Sequence, residues 1–265
     1  MSEVKEIGAV YTRQGDYLIP SQLARGPWSA QAQHGGAPAA LLAGLAESAV
    51  DDGAFFLSRL TLELVRPVPI APLTVAISSG RGKSVRRVEL VLSHEDRPVA
   101  RANALLLRAG PIDIPEPAPS LPLPGPQQCS EPFRIPGMPA VVSFHNTAME
   151  TRLASGSTAT PGPAAVWFRF AVPFLEGAAS TPVMRAVAAA DFGNGISWTL
   201  PFDTFVFANT DLTVYLHRPP CGEWVALDSE TCAEPSGVGL VRSTLYDERG
   251  RIGVAQQNLL IRRLP

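Results

Sequence analysis

Residues 60–67 read Leu60-Thr61-Leu62-Glu63-Leu64-Val65-Arg66-Pro67, and residues 212–219 read Leu212-Thr213-Val214-Tyr215-Leu216-His217-Arg218-Pro219. Each copy is followed by a similar closing segment. The first is Arg97-Pro-Val-Ala-Arg-Ala-Asn103-Ala-Leu-Leu-Leu-Arg108, and the second is Arg251-Ile-Gly-Val-Ala-Gln-Gln257-Asn-Leu-Leu-Ile-Arg262. Two copies about 150 residues apart imply a fused, pseudo-symmetric pair of similar folds and not a many-repeat solenoid. Fused copies diverge, so a polar residue kept in one and lost from its mirror position is a candidate for chemistry.

Working outward, residues 111–140 carry Pro111, Pro115, Pro117, Pro119, Pro122, Pro124, Pro126, Pro132, Pro136 and Pro139. Proline removes backbone donors and fixes φ, which excludes a regular helix or central strand. The segment reads as an extended linker. It separates an N-terminal unit, residues 1–110, from a C-terminal unit, residues 141–265.

With 265 residues, 46% of them hydrophobic and 17% charged, the chain has enough apolar content for two cores. A formal net charge of −2 gives no electrostatic reason to expect nucleic acid. Cys129, Cys221 and Cys232 are odd in number and form no Cys-x-x-Cys pair, so they read as reduced thiols in a cytoplasmic protein. No apolar signal segment opens the chain, and no apolar run reaches the roughly 18 residues of a membrane span.

Ala37–Val50 is the clearest helix, with Leu41, Leu42, Leu45 and Ala49 on one stripe. Gly35-Gly36 supply a turn before it, and Pro38 sits where a first-turn proline is tolerated. Its many Ala and Gly residues predict close packing against a sheet. The repeated segments alternate as strands. Val85–Ser93, Val99–Leu107, Val166–Val172, Trp224–Glu230, Gly239–Tyr246 and Val254–Arg262 are further strands. His94–Arg97 and Asp247–Gly250 are hairpin turns. Pro182–Asp191 is a second, Ala-rich helix. One helix and a run of antiparallel strands, twice over, give an α+β class.

The chain resembles the double-hotdog, type II (TesB-like) acyl-CoA thioesterases. The resemblance rests on Gln33-His-Gly-Gly36, on Asp211-Leu-Thr-Val-Tyr-Leu-His-Arg-Pro-Pro220 with Gly222-Glu-Trp-Val, on the Gly237–Arg251 hairpin, and on Ala255-Gln-Gln-Asn-Leu-Leu-Ile-Arg262. It implies two fused hotdog units, each an antiparallel sheet wrapped around a central helix. It also implies acyl-CoA as substrate, no cofactor or metal, a role in lipid metabolism, and a homodimer or higher homo-oligomer.

The resemblance further implies a water activated by three residues. Asp191 matches the family's helix aspartate, and Gln257 its C-terminal glutamine. The third position, a Ser or Thr in the family, carries Asn209, with Thr210 one step later. An amide cannot reproduce a hydroxyl's donor–acceptor geometry. His34, Gly35, Gly36 and Thr210 are expected to bind substrate, the helix start polarising the carbonyl. Arg86, Arg87, Arg242 and Arg262 are candidates for CoA's phosphates. There is no Gly-x-Ser-x-Gly elbow and no cysteine with a nucleophile signature. His34 has no second His at i+2 to i+4, which argues against a metal.

Each residue also has an ordinary structural reading: Asp191 as a helix end, Gln257 as a solvent-facing strand residue, Asn209 as a strand start. Laying one half on the other sets Glu47 near Asp191, Asn103 on Gln257 and Leu57 on Asn209. That predicts one working site on second-half residues, with Glu47 as the alternative base. Two other functions fit the fold. One is a non-catalytic acyl-CoA or acyl-chain binding protein. The other is a hotdog hydratase, which pairs an Asp with a His about five residues on, whereas residues 191–197 contain no His.

Overall fold

The computed structural model describes residues 8–115, 120–134 and 140–264. Residues 116–119 and 135–139 of the proline-rich segment lie outside the described residues, as do the first seven. A small hairpin, β1 (Tyr11–Gln14) and β2 (Tyr17–Pro20), precedes helix α1 (Gly36–Val50). Strands β3 (Phe55–Leu64), β4 (Thr74–Gly80), β5 (Val85–His94) and β6 (Arg97–Arg108) complete the first half. The second half comprises β7 (Met149–Ser155), β8 (Ala164–Phe170), α2 (Pro182–Ala190), α3 (Gly193–Ile196), β9 (Phe205–Asn209) and β10 (Asp211–Leu216). It closes with β11 (Val225–Ala233), β12 (Val238–Asp247) and β13 (Gly250–Arg263). Eleven strands form one antiparallel sheet in the order β4-β5-β6-β3-β10-β13-β12-β11-β8-β7, with β9 also paired to β13. The result is the α+β double hotdog.

The seam of this sheet is the repeat itself. β3 pairs with β10, Leu60 opposite Val214, Thr61 opposite Thr213 and Leu62 opposite Leu212. Thr61 and Thr213 are mirror residues, so the pseudo-twofold axis passes between them, and their hydroxyls hydrogen-bond at 3.4 Å. Alternation buries Leu60, Leu62, Leu212, Val214 and Leu216 on the helix side of the sheet.

α1 is buried almost all round and not along one stripe. Ala37, Ala39, Ala40, Leu42, Ala43 and Ala46 are fully buried, while Leu45 and Ala49 are only partly so. The reason is α2, which runs antiparallel against it. A Cβ at Gly44 would fall 2.7 Å from Met184 Sδ, and one at Gly36 would fall 2.7 Å from the Ala188 carbonyl oxygen. Small residues are required because the two helices share a space too narrow for larger ones.

The proline-rich residues that are described pack on the second half. Trp167 Nε1 donates to Pro124 O at 2.8 Å, Arg152 donates to Pro126 O at 2.7 Å, and Leu153 N donates to Glu131 O at 2.7 Å. The two hairpins differ. Glu95 and Asp96 both take positive φ, the twist that suits a two-residue turn. At the other, Asp247 turns inward and is wholly buried.

Asp247 explains the second Arg-Pro. Arg218 donates two guanidinium hydrogen bonds to its carboxylate, one of them 2.7 Å, and the Cys221 and Arg249 N–H groups donate at 2.7 and 2.8 Å. Burial alone would raise the Asp247 carboxyl, but Arg218 and the two N–H donors outweigh it and hold it below its ordinary value. Arg218→Met strands this carboxylate and is expected to cost about 3 kcal/mol in urea denaturation at pH 7. A depressed carboxyl stabilises the fold above its unfolded value, about 3.9, and loses that contribution as pH falls through the folded value. The gap between wild type and variant therefore narrows in acid.

Candidate active site

Three elements from the second half and one from the first converge on Asp191. It follows the last residue of α2, whose Ala-rich end lies beneath the sheet, and it is only 4% exposed. Asn209 ends β9, and Gln257 lies mid-way along β13, whose inner face also carries Leu259 opposite Asn209. Asn209 Nδ2 and Gln257 Nε2 each donate to Asp191 Oδ1 at 2.8 Å. These contacts fix both amide orientations, since only the NH₂ end can face a carboxylate. Gln257 is buried, so it is neither solvent-facing nor interchangeable with exposed Gln256.

From the first half, His34 Nδ1 lies 2.9 Å from Asp191 Oδ2. Its ring stacks on Phe192, centroids 4.4 Å apart. Gly35 and Gly36 adopt ordinary helical backbone at the start of α1, so the turn expected of them is not what they provide. They provide room. A Cβ on Gly35 would sit 2.8 Å from Asp191 Oδ2 and 3.0 Å from Oδ1. The positive end of the α1 dipole thereby faces a carboxylate at close range.

These groups form one end of a cavity of about 390 Å³. His34, Gly35, Asp191, Asn209 and Thr210 line it, and Gly36 does not. Gly36 N–H is directed at His34 Nδ1, 3.1 Å away. The remaining wall is largely apolar. Trp28, Leu64, Val68, Phe202, Val206 and Phe207 contribute, with Phe202 packed against Trp28 and Phe207 at 5.7 and 5.5 Å. Trp198 stands behind Phe202 and does not line the wall.

The mirror comparison needs one correction. Register places Thr61 opposite Asn103 and Thr213 opposite Gln256, so Asn103 corresponds to Gln256. The residue corresponding to Gln257 is the buried Ala104. Matching Arg108 with Arg262 shifts the closing strands by one residue, and one residue exchanges the faces of a strand. Leu57 does correspond to Asn209: they lie opposite Leu106 and Leu259 in matching register. Glu47 sits at the start of α2, where Thr181 Oγ1 donates to it at 2.6 Å, and it does not reach the cavity. Burial raises its carboxyl, and Thr181 partly offsets the rise.

Of the candidate phosphate partners, none lines the cavity. Arg86 pairs with Asp52 and Arg242 with Glu230. Arg66, which is not among those candidates, does line it. It is the mirror of Arg218 but donates to Pro98 O at 2.7 Å and has no carboxylate partner among the described residues. The signal was present in the repeat: the hairpin facing Arg218 supplies Asp247, and the one facing Arg66 has no buried equivalent.

The chain is thus a double hotdog with a buried, amide-held carboxylate at one end of a largely apolar cavity. The chain belongs to the acyl-CoA thioesterase family: residues 24–107 match the model of the acyl-CoA thioesterase N-terminal domain, and residues 115–261 match that of the C-terminal domain. It is similar in fold to a protein from Novosphingobium aromaticivorans named as a thioesterase, with 21% identity, TM-score 0.70, and 95% of this chain and 98% of that one covered. A hot-dog-fold protein of unknown function from Alicyclobacillus acidocaldarius is similar at 15% identity and TM-score 0.72, with 96% of each chain covered. Acyl-CoA thioesterase II TesB2 from Mycobacterium marinum is similar at 16% identity and TM-score 0.61, covering 95% of this chain and 94% of that one. No curated protein matches the chain. Among the described residues no helix is long and apolar enough to cross a membrane.

Gly35→Ala separates two explanations of that glycine. Ordinary helical φ and ψ with no steric neighbour would make the change stabilising, by up to about 1 kcal/mol. The close carboxylate predicts the opposite, a loss of about 1–3 kcal/mol from overpacking. A lowered urea midpoint is expected.

Proposed function

We propose that the chain hydrolyses acyl-CoA thioesters to free acid and CoA, with water activated at Asp191 and held by Gln257 and Asn209. The observation that carries this reading is the convergence of two amide donors on one buried carboxylate that opens onto an apolar cavity. The acyl chain occupies the wall of Trp28, Val68, Phe202 and Phe207. The thioester lies at the polar end, beside Asn209 and Thr210. Arg66 at the rim meets the phosphates of CoA, the anions for which an unpaired guanidinium is suited.

Asn209 supplies the N–H that a Ser or Thr hydroxyl would supply to the carboxylate, and it adds a second donor that can face the water or the carbonyl oxygen. Removing the charge at position 191 takes away the anion on which water activation depends.

One observation favours a second reading. Residues 191–197 lack a histidine, but the fold brings His34 to Asp191 from the other half. A histidine–aspartate pair is what hydration of a 2-enoyl-CoA requires. Hydration without CoA release would select that reading.

CoA release from a panel of short to long acyl-CoAs is expected for the wild type. Asp191→Asn should lower kcat by about 10²–10⁴-fold while the protein stays folded. Folded wild type that binds acyl-CoA and releases no CoA would instead mark an acyl-binding relative. A separate comparison addresses the rim. Arg66→Gln should raise KM for acyl-CoA about tenfold, roughly 1.4 kcal/mol, and leave turnover of an N-acylcysteamine thioester, which lacks phosphates, unchanged.

A further inference from the structure

We propose that His34 is the proton-transferring residue of this site and that Asp191 acts through it. The proposal rests on the thioesterase reading and specifies which atom takes the proton. A carboxylate has about four acceptor positions. At Asp191 three are engaged: two on Oδ1 by Asn209 and Gln257, one on Oδ2 by His34. Little of it remains to receive a proton from water.

The tautomer of His34 follows from its neighbours. Nδ1 lies 2.9 Å from Asp191 Oδ2 and 3.1 Å from Gly36 N. One nitrogen cannot donate to the first and accept from the second. A bare lone pair facing a carboxylate oxygen at 2.9 Å is repulsive, so the proton sits on Nδ1 and the lone pair on Nε2. No described residue hydrogen-bonds Nε2, and His34 lines the cavity. The ring is held by Phe192 at 4.4 Å and Phe144 at 5.3 Å. The arrangement is a fixed imidazole with an oriented anion behind it and a free base in front.

The other titratable groups around His34 do not compete. His145, whose ring is 6.3 Å away, is pushed down to about 3, chiefly by burial and further by the charge of nearby Arg25. It is therefore neutral throughout a neutral assay range. Tyr11, which bonds the neighbouring Gln33, is pushed well up by burial and stays protonated.

In the reaction, Nε2 takes a proton from water as the water oxygen bonds to the thioester carbon. The tetrahedral oxyanion then re-forms the carbonyl and the C–S bond breaks, its electron pair leaving on sulfur. The thiolate takes the proton back from Nε2–H. Free acid and CoA thiol depart, and His34 and Asp191 are restored.

The test is kcat/KM against pH for wild type, His34→Gln and His34→Ala, with folding checked by circular dichroism. His34→Gln should lose about 10²-fold or more in kcat. Its acidic limb should vanish or move by about one pH unit or more, because a glutamine amide takes up no proton. Added imidazole should partly restore His34→Ala and leave Asp191→Asn unaffected. An acidic limb unchanged in His34→Gln overturns the proposal and leaves the thioesterase reading standing, even if the rate has fallen. Wild type that releases no CoA overturns both. If His34→Ala does not fold, the limb of His34→Gln alone decides.

Discussion

Two helices lying closer than ordinary side chains permit set the geometry of everything else. α1 and α2 run antiparallel inside a sheet that wraps both, with glycine or alanine at each close point. That spacing places the end of each helix against the start of the other. Glu47 of α1 meets Thr181 before α2, and Asp191 after α2 meets Gly35 before α1. A carboxylate at a helix start is electrostatically favoured, so the pairing is stabilising before any chemistry is asked of it. The arrangement at Asp191 is a modification of the one at Glu47.

The modification is visible because the fold holds both versions. At the Glu47 end, the residues corresponding to Asn209 and Gln257 are Leu57 and Ala104, both buried. That carboxylate has a hydroxyl partner and no cavity. At the Asp191 end, glycine replaces the hydroxyl residue, two amides replace the aliphatics, and His34 fills the gap that the glycine leaves. The Arg-Pro pairs diverge in the opposite sense. Arg218 is committed to buried Asp247 and holds the turn after β10, while Arg66 keeps its charge at the cavity rim. Each half therefore keeps one set of residues for structure and releases the other for the site.

The repeat made the fold legible, since two identical alternations with mirrored closing strands leave few ways to bury their apolar faces. Asp191, Asn209 and Gln257 were legible through the resemblance, and the structure brings all three within hydrogen-bond reach. What stayed hidden had physical causes. The all-round burial of α1 depends on a helix about 145 residues away, which no local periodicity reports. The correspondence of Asn103 with Gln256 depends on a one-residue register that similar Leu-Leu-Arg endings disguise. The pairing of His34 with Asp191 crosses the halves, so a search for a histidine near residue 191 in the sequence could not find it. β1, β2, β4, β7 and β9 are short or edge-lying segments with weak alternation, and they escaped for that reason.

Asn209 and His34 belong together. A Ser or Thr hydroxyl is both donor and acceptor, so it can stand between a water and a carboxylate and pass a proton from one to the other. An amide NH₂ only donates. With Asn209 in that place, the route from water to Asp191 through the middle residue is closed, and Oδ1 is fully occupied by the two amides. Water activation then needs a base that meets the water directly while drawing on the Asp191 charge. His34 is the group placed to do this, with Nδ1 on the carboxylate and its ring among the residues that line the cavity. On this view the exchange of hydroxyl for amide is not a defect in the site. Under the His34 proposal it accompanies a move of the proton-accepting atom from oxygen on the second half to nitrogen on the first.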